Sequence, residues 1–383
     1  MSISPNVNAS AGERLFETVC AYAALGDHWT GGAVDRATRA WASDIAQSAG
    51  GRVREQAFRF PRFNAEWWVE IGGRRIDSLP LFYCTVGETE MRNVAVARVP
   101  FRSGEEAAGL RAVEQAAARV AGALIVVGET ATGGLYALNC EPREDPTGRP
   151  IFVVGSADVE GLDVTDNRVY LGATVGLGET ANLIAAFGPI GQRPRLTIST
   201  PMTGWFACAG ERGSGLAIAF AVAERLASDI PLRLILSSGH EIGHIGLDAY
   251  LAATAPAHDE TILHVGAGVA AGSPGADGRF RLTPDIRLTA HSDPRGLDRM
   301  ARAMAAIGVP FTQAQPPGSP ASWRGEARNW APRARRMASL VGFSPYFHER
   351  DDQPERVTDA ALLSSVADAV EEVARALAEP ANG

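Results

Sequence analysis

The sequence predicts an α/β protein: a three-layer α/β/α domain around a mainly parallel sheet, with a smaller β-rich domain inserted. Two observations carry this. Short apolar runs at 196–199, 232–236 and 261–265 alternate with helical stretches such as 216–227, the rhythm of a parallel sheet. From about 84 to 186 the texture shifts to short strands and glycines around one alanine-rich helix, which predicts a module of its own. The α/β domain is then discontinuous, formed by 1–83 and 187–383. At 383 residues the chain is long enough for both.

Along the chain, residues 11–25 and 34–49 have apolar positions at helical spacing, joined by a loop in which His28 stands alone and reads as structural. Residues 53–83 alternate and carry Phe58, Phe60, Phe63, Trp67 and Trp68, which predicts successive antiparallel strands. In the inserted segment, 107–121 is helical, 123–127 and 151–154 are buried strands, and Pro142, Pro146 and Pro150 punctuate the connection. Its glycine-rich pieces lack GxGxxG spacing and read as turns, so the segment shows little chemistry of its own. Beyond 187, strands at 196–199, 232–236, 261–265 and 287–290 alternate with helices at 216–227 and 296–307. Residues 316–320 form a proline-rich loop, and an amphipathic helix over 360–378 closes the chain.

Composition narrows the function. The net charge of −8 and a pI near 5.5 give no reason to expect nucleic acid or an anionic membrane as partner. All 36 basic residues are arginine, which excludes a Schiff-base lysine and the lysine-bearing phosphate loop. Cys20, Cys84, Cys140 and Cys208 are far apart and form no CxxC pair, so reduced cysteines are expected. No signal-like N-terminal segment is visible, and no stretch reaches the roughly 18 apolar residues of a membrane span. A cytoplasmic protein is expected, with homo-oligomerisation left open.

The organising stretch is 230–250. Leu232, Leu234, Ile235 and Leu236 make a buried strand that passes through Ser237, Ser238 and Gly239 to His240 and Glu241. In open α/β sheets, ligands bind beyond the carboxyl ends of the strands, so this pair is placed for metal binding or proton transfer. His240-Glu241-Ile242-Gly243-His244 also matches HExxH literally, in which two histidines on one helix face bind zinc. A preceding strand and Gly239, Gly243 and Gly246 speak against that helix. His244 is then either a packed histidine or a ligand.

Six of the seven histidines follow residue 239, and His240, His264 and His348 each fall near a strand end or adjoining loop, with Glu211 and Glu241 beside them. The order of segments resembles the co-catalytic zinc aminopeptidases and glutamate carboxypeptidases with an inserted protease-associated domain. Arg212-Gly213-Ser214-Gly215 is similar to the family's Asp-Asn-x-Ser-Gly, 240–246 to its Glu-Glu-x-Gly-x-x-Gly, and Pro345-Tyr346-Phe347-His348 with Asp351-Asp352 to its terminal Tyr-His-(x)-Asp. The resemblance makes 84–186 the protease-associated domain, a cover for the active site.

The departures are as informative. Thr200-Pro201-Met202-Thr203 stands where the family has its first ligand histidine, and Glu211 at the metal-bridging aspartate. His240 replaces the general-base glutamate, while Glu241 is retained as its neighbouring ligand. The third-strand ligand falls at or near His264, and the last is retained as His348. The expected metal set is therefore Glu241, His348, His264 and His240, with His244 added by the HExxH match. One divalent ion, zinc above others, is expected rather than two, with His240, Glu241 and Glu211 as catalytic groups. Glu241 and His348 should then lie within a few ångströms of each other. Trp205, Arg212, Glu326 and Tyr346 are candidate contacts for a small-molecule or short peptide-like substrate. Three readings stay open: a metal-dependent hydrolase of an amide or peptide-like bond, a metal-free enzyme or ligand-binding protein on the same scaffold, and the zincin.

Overall fold

A computed structural model of the chain describes residues 9–254, 260–282, 287–290, 294–309, 311–314 and 323–379. The first eight residues, the loop expected at 316–320, and His258 and His291 lie outside the described residues.

A large mixed sheet organises the molecule. Its order is Phe311–Ala314, Arg287–Ala290, Ala334–Val341, Glu260–Val265, Leu196–Pro201, Leu232–Ser237, Asn167–Phe187, Arg52–Ile71 and Arg74–Ile76, with Gly87–Arg92 paired to Asn167–Phe187 off this path. The four strands from Ala334–Val341 to Leu232–Ser237 are mutually parallel, so their carboxyl ends open on one rim. Beyond them, Arg52–Ile71 runs antiparallel to Asn167–Phe187 over its whole length and turns back through Arg74–Ile76, and of these two pairings only the latter lies within the successive antiparallel strands expected over 53–83.

Alternation along the strands sets the layers. Leu232, Leu234 and Leu236 enter a core with the helices Ala11–Ala23, Ala33–Ser48, Ser214–Leu226 and Ala360–Ala378, while Ile235 faces the opposite way, toward Leu247, Tyr250 and Trp330. Helices thus cover both faces, as expected of a three-layer domain. The closing helix begins at Asp359, whose side chain accepts the Leu362 N–H as an N-cap.

A second sheet orders Ser78–Pro80, Ile151–Gly155, Leu124–Glu129 and Ala95–Pro100, with the helix Glu106–Ala118 beside it. It recruits Ser78–Pro80 from ahead of position 84, and Asn167–Phe187 belongs to the large sheet. A strap over 135–141 ties this lobe to the rim. Ala137 N donates to His348 O at 2.9 Å, Cys140 N to Glu241 O at 3.0 Å, and Arg350 N to Leu135 O at 3.1 Å.

Candidate active site

Each parallel strand delivers polar groups to the rim. Leu196–Pro201 leads into Thr203; Leu232–Ser237 leads through Gly239 to His240 and Glu241; Glu260–Val265 carries His264; Ala334–Val341 is followed by Phe343 and His348. Residues 240–244 form turns ahead of the helix Ile245–Ala253, with φ of 79° at Gly239, 86° at Gly243 and 62° at His244. The HExxH match is therefore not a helix face, and the zincin reading is set aside. Tyr83, Phe206, Cys208 and His348 are also left-handed. Such backbone strain gathers at functional sites.

A cavity of about 700 Å³ opens above this rim. His240, His244, His264 and His348 line it together with Phe343, Phe347 and Leu138, and Arg149 and Arg328 border it. Beneath the histidines lies a fully buried layer of Glu211, Arg212 and Glu326.

Within that layer, Glu211 Oε1 lies 2.6 Å from Arg212 Nη2 and 3.3 Å from His348 Nε2. Burial alone would raise the Glu211 carboxyl, but Arg212 and then His348 bring it down to about 2. His348 Nδ1 lies 3.1 Å from Ala137 O. A carbonyl only accepts, so Nδ1 donates, and an acceptor also faces Nε2. Burial acts to lower the His348 pKa, yet the Glu211 charge raises it overall. Asp352 holds this layer from behind, accepting Gly210 N at 2.8 Å and Glu211 N at 2.9 Å.

His240 is built differently. Its Nδ1 lies 3.3 Å from Glu326 Oε1, and Ser237 Oγ donates to the same carboxylate at 2.7–2.9 Å. Burial, followed by the Arg212 charge, pushes the His240 pKa well down. The neutral ring therefore donates its Nδ1–H to Glu326 in a hydrogen bond, which leaves the Nε2 lone pair free. His264 is likewise neutral, brought down to about 4 by burial, with Nδ1 2.8 Å from Ser339 Oγ and a buried, unpartnered Nε2. His244 sits with its ring 4.5 Å from that of His240 and its Nδ1 3.0 Å from Asn329 Oδ1.

Glu241 does not join this group. Its oxygens accept Thr30 N at 2.6 Å and Thr203 Oγ1 at 2.9 Å, and no hydrogen bond or ion pair links it to His348 among the described residues. The Thr30 amide and the Thr203 hydroxyl take up the carboxylate that the resemblance assigns to a metal. Among the described residues, no three His, Cys, Asp or Glu side chains converge as a set able to hold a metal ion, and the Arg212 guanidinium stands among the candidate ligands. The donor set does not fit the expected ion.

The other sequence candidates sort by burial. Trp205 packs in the core of the smaller lobe, edge-on to Phe82 with Nε1 2.8 Å from Asn139 Oδ1, and is not among the residues lining this cavity. Tyr346 packs on the large core with the Arg356 guanidinium 5.8 Å from its ring. Arg212 and Glu326 lie under the cavity floor, Arg212 against Glu211 and Glu326 against His240. His28 is structural, as expected, stacked on Tyr22 at 3.8 Å. Sequence reasoning missed Ser237, although a serine closing an apolar run was a visible signal. It also missed Arg149 in the proline-punctuated connection, where the segment read as chemically quiet.

The fold and this rim define a zinc-aminopeptidase-like α/β/α scaffold. Among solved structures, the chain is similar to a zinc aminopeptidase from Bacillus subtilis, at 14% identity and TM-score 0.66 over 94% of both chains. A peptidase M28 precursor from Shewanella amazonensis matches at 15% identity and TM-score 0.69 over 97% of this chain and 94% of that one. An aminopeptidase from Aneurinibacillus sp. strain AM-1 matches at 17% and 0.58 over 94% and 92%. No family model and no curated relative matches the sequence. The resemblance read from the segments is thus borne out as a fold. Among the described residues, no helix is long and apolar enough to cross a membrane.

Proposed function

We propose that the protein is a metal-independent binder or converter of a small, carboxylate-bearing, peptide-like molecule, with His240 as its proton acceptor. This takes the metal-free reading over the metal-dependent hydrolase. The observation that carries it is the Glu326–His240 pair on the cavity floor, an oriented neutral imidazole with its Nε2 unprotonated. A carboxylate behind a histidine fixes the tautomer and the ring orientation, the logic of an orienter and a base. No ion is needed for that step.

Two features support the ligand class. The cavity has the volume of a small-molecule site and apolar walls at Phe343, Phe347 and Leu138. Arg149 borders it with a buried Nη1 that has no hydrogen-bond partner, a donor suited to a carboxylate. In this reading the smaller lobe, built on Ser78–Pro80, Ala95–Pro100, Leu124–Glu129 and Ile151–Gly155, covers the site through the strap, and the four unpaired cysteines fit a reducing, cytoplasmic setting.

The test is a calorimetric titration of chelator-treated, desalted protein with N-acyl amino acids and dipeptides, each paired with its C-terminal amide. Amide cleavage is followed in parallel by mass spectrometry. Binding should favour the free carboxylates, survive the chelator, and weaken at least about tenfold in Arg149→Met. Turnover abolished by chelation and restored by zinc would overturn the reading.

A further inference from the structure

We propose that the Arg212 guanidinium is a resident cation, standing between the candidate ligands where a metal ion would otherwise sit. The inference rests on the metal-independent reading above and goes further, by naming what replaces the ion.

The side chain is built in. It is 1% exposed, its Nη2 lies 2.6 Å from Glu211 Oε1, and His348 Nε2 reaches that same oxygen at 3.3 Å. One carboxylate oxygen thus meets a fixed positive group and an imidazole together, and the carboxylate and the imidazole are group types that a bound ion would take as ligands. On its other edge, Arg212 Nε donates to Thr203 O at 3.0 Å. Thr203 belongs to the segment that replaces the family's first ligand histidine, and its hydroxyl also receives Gly239 N at 2.8 Å and donates to Glu241. Thr203 therefore holds the guanidinium through its carbonyl and engages the Glu241 carboxylate through its hydroxyl.

Gly204 completes the cradle. A Cβ there would lie 3.3 Å from Arg212 Nε and 3.4 Å from its Cγ, so a side chain would crowd the passage of the arginine. The widened turn Ala209–Gly213 carries Glu211 and Arg212 as neighbours, and such π turns recur at functional sites.

Chemically the exchange is not neutral. A guanidinium keeps its proton at any physiological pH. It fixes one positive charge beside Glu211 whatever the metal supply, and it presents N–H donors only. It does not turn a bound water into hydroxide as a zinc ion does. Removing it leaves a buried carboxylate without its main counter-charge, a state that recruits a cation or a proton.

The experiment follows from that. Chelator-treated, desalted wild type and Arg212→Ala, Arg212→Lys and Arg212→Ala/Glu211→Gln variants are titrated with cobalt(II) at neutral pH. The visible ligand-field bands and Tm are read. Wild type and Arg212→Lys should take up no cobalt at the site. Arg212→Ala should bind one equivalent and gain Tm on cobalt addition, and the double variant should lose both responses. If Arg212→Ala folds poorly, its rescue by cobalt is the same positive result. Glu211-dependent uptake by the wild type would overturn this inference and the metal-independent reading together. An Arg212→Ala protein that neither binds cobalt nor is stabilised by it would overturn this inference alone.

Discussion

Glu326 is the most exposing place to test the site, because one carboxylate serves two partners in a fully buried position. Ser237 Oγ donates at 2.7–2.9 Å and His240 Nδ1 lies at 3.3 Å. A hydrogen bond to a charged group contributes about 1.5–3 kcal/mol, so Glu326→Ala forfeits about 3–6 kcal/mol across the two. Relief of the buried charge offsets part of this, leaving a net loss of about 2–4 kcal/mol. Glu326→Gln keeps the shape and one acceptor oxygen and should cost about 1–3 kcal/mol. Urea unfolding at pH 7.5, followed by the fluorescence of the seven tryptophans, gives these values. Nitrogen-15 spectra of the histidines report the second consequence: His240 should hold its proton on Nδ1 in the wild type and lose that preference in Glu326→Ala. Stability of Glu326→Ala within about 0.5 kcal/mol of wild type, with an unchanged His240 tautomer, would refute the orienting role.

Other perturbations have signs fixed by the same geometry. Burial brings His28 down to about 3, so on acidification the unfolded chain takes up a proton near 6.5 while the native one does not. Between pH 6.5 and 4.5 His28 should subtract about 2–3 kcal/mol, and His28→Gln should flatten that slope in urea titrations. Asp352 acts in the opposite sense. Burial raises its carboxyl to about 7, so its contribution is greatest at low pH and is lost as pH rises from about 4 through 7. Asp352→Asn should therefore fall further below wild type at pH 5 than at pH 8. A Cβ at Gly246 would lie 2.0 Å from Ser238 O and 2.5 Å from Asn182 Oδ1. Gly246→Ala should then cost upwards of about 2 kcal/mol and loosen the turn that carries His240, seen as a lower urea midpoint and weaker ligand binding.

The sequence by itself determined the architecture, since that is written in local patterns. The apolar run 232–236 is long enough for a strand and too short for a free-standing helix, and alternation at 53–83 makes sense only as an antiparallel ribbon. Strand ends then had to collect at one rim, and His240, His264 and His348 were legible there as cavity-lining groups. Only the tertiary structure decided which partners those groups meet. Glu241 is retained as a residue, yet the Thr30 amide, 211 positions away in sequence, and the Thr203 hydroxyl turn it from the expected ligand set. Arg212 reads in the sequence as a rim residue suited to a substrate carboxylate or to a structural ion pair, and Thr203 and Glu211 hold it under the floor. The physical reason is one of range. Hydrophobic periodicity acts between near neighbours and survives in a linear string. Charge state and ligand capacity depend on which polar partners meet a buried side chain, and those partners arrive from distant segments.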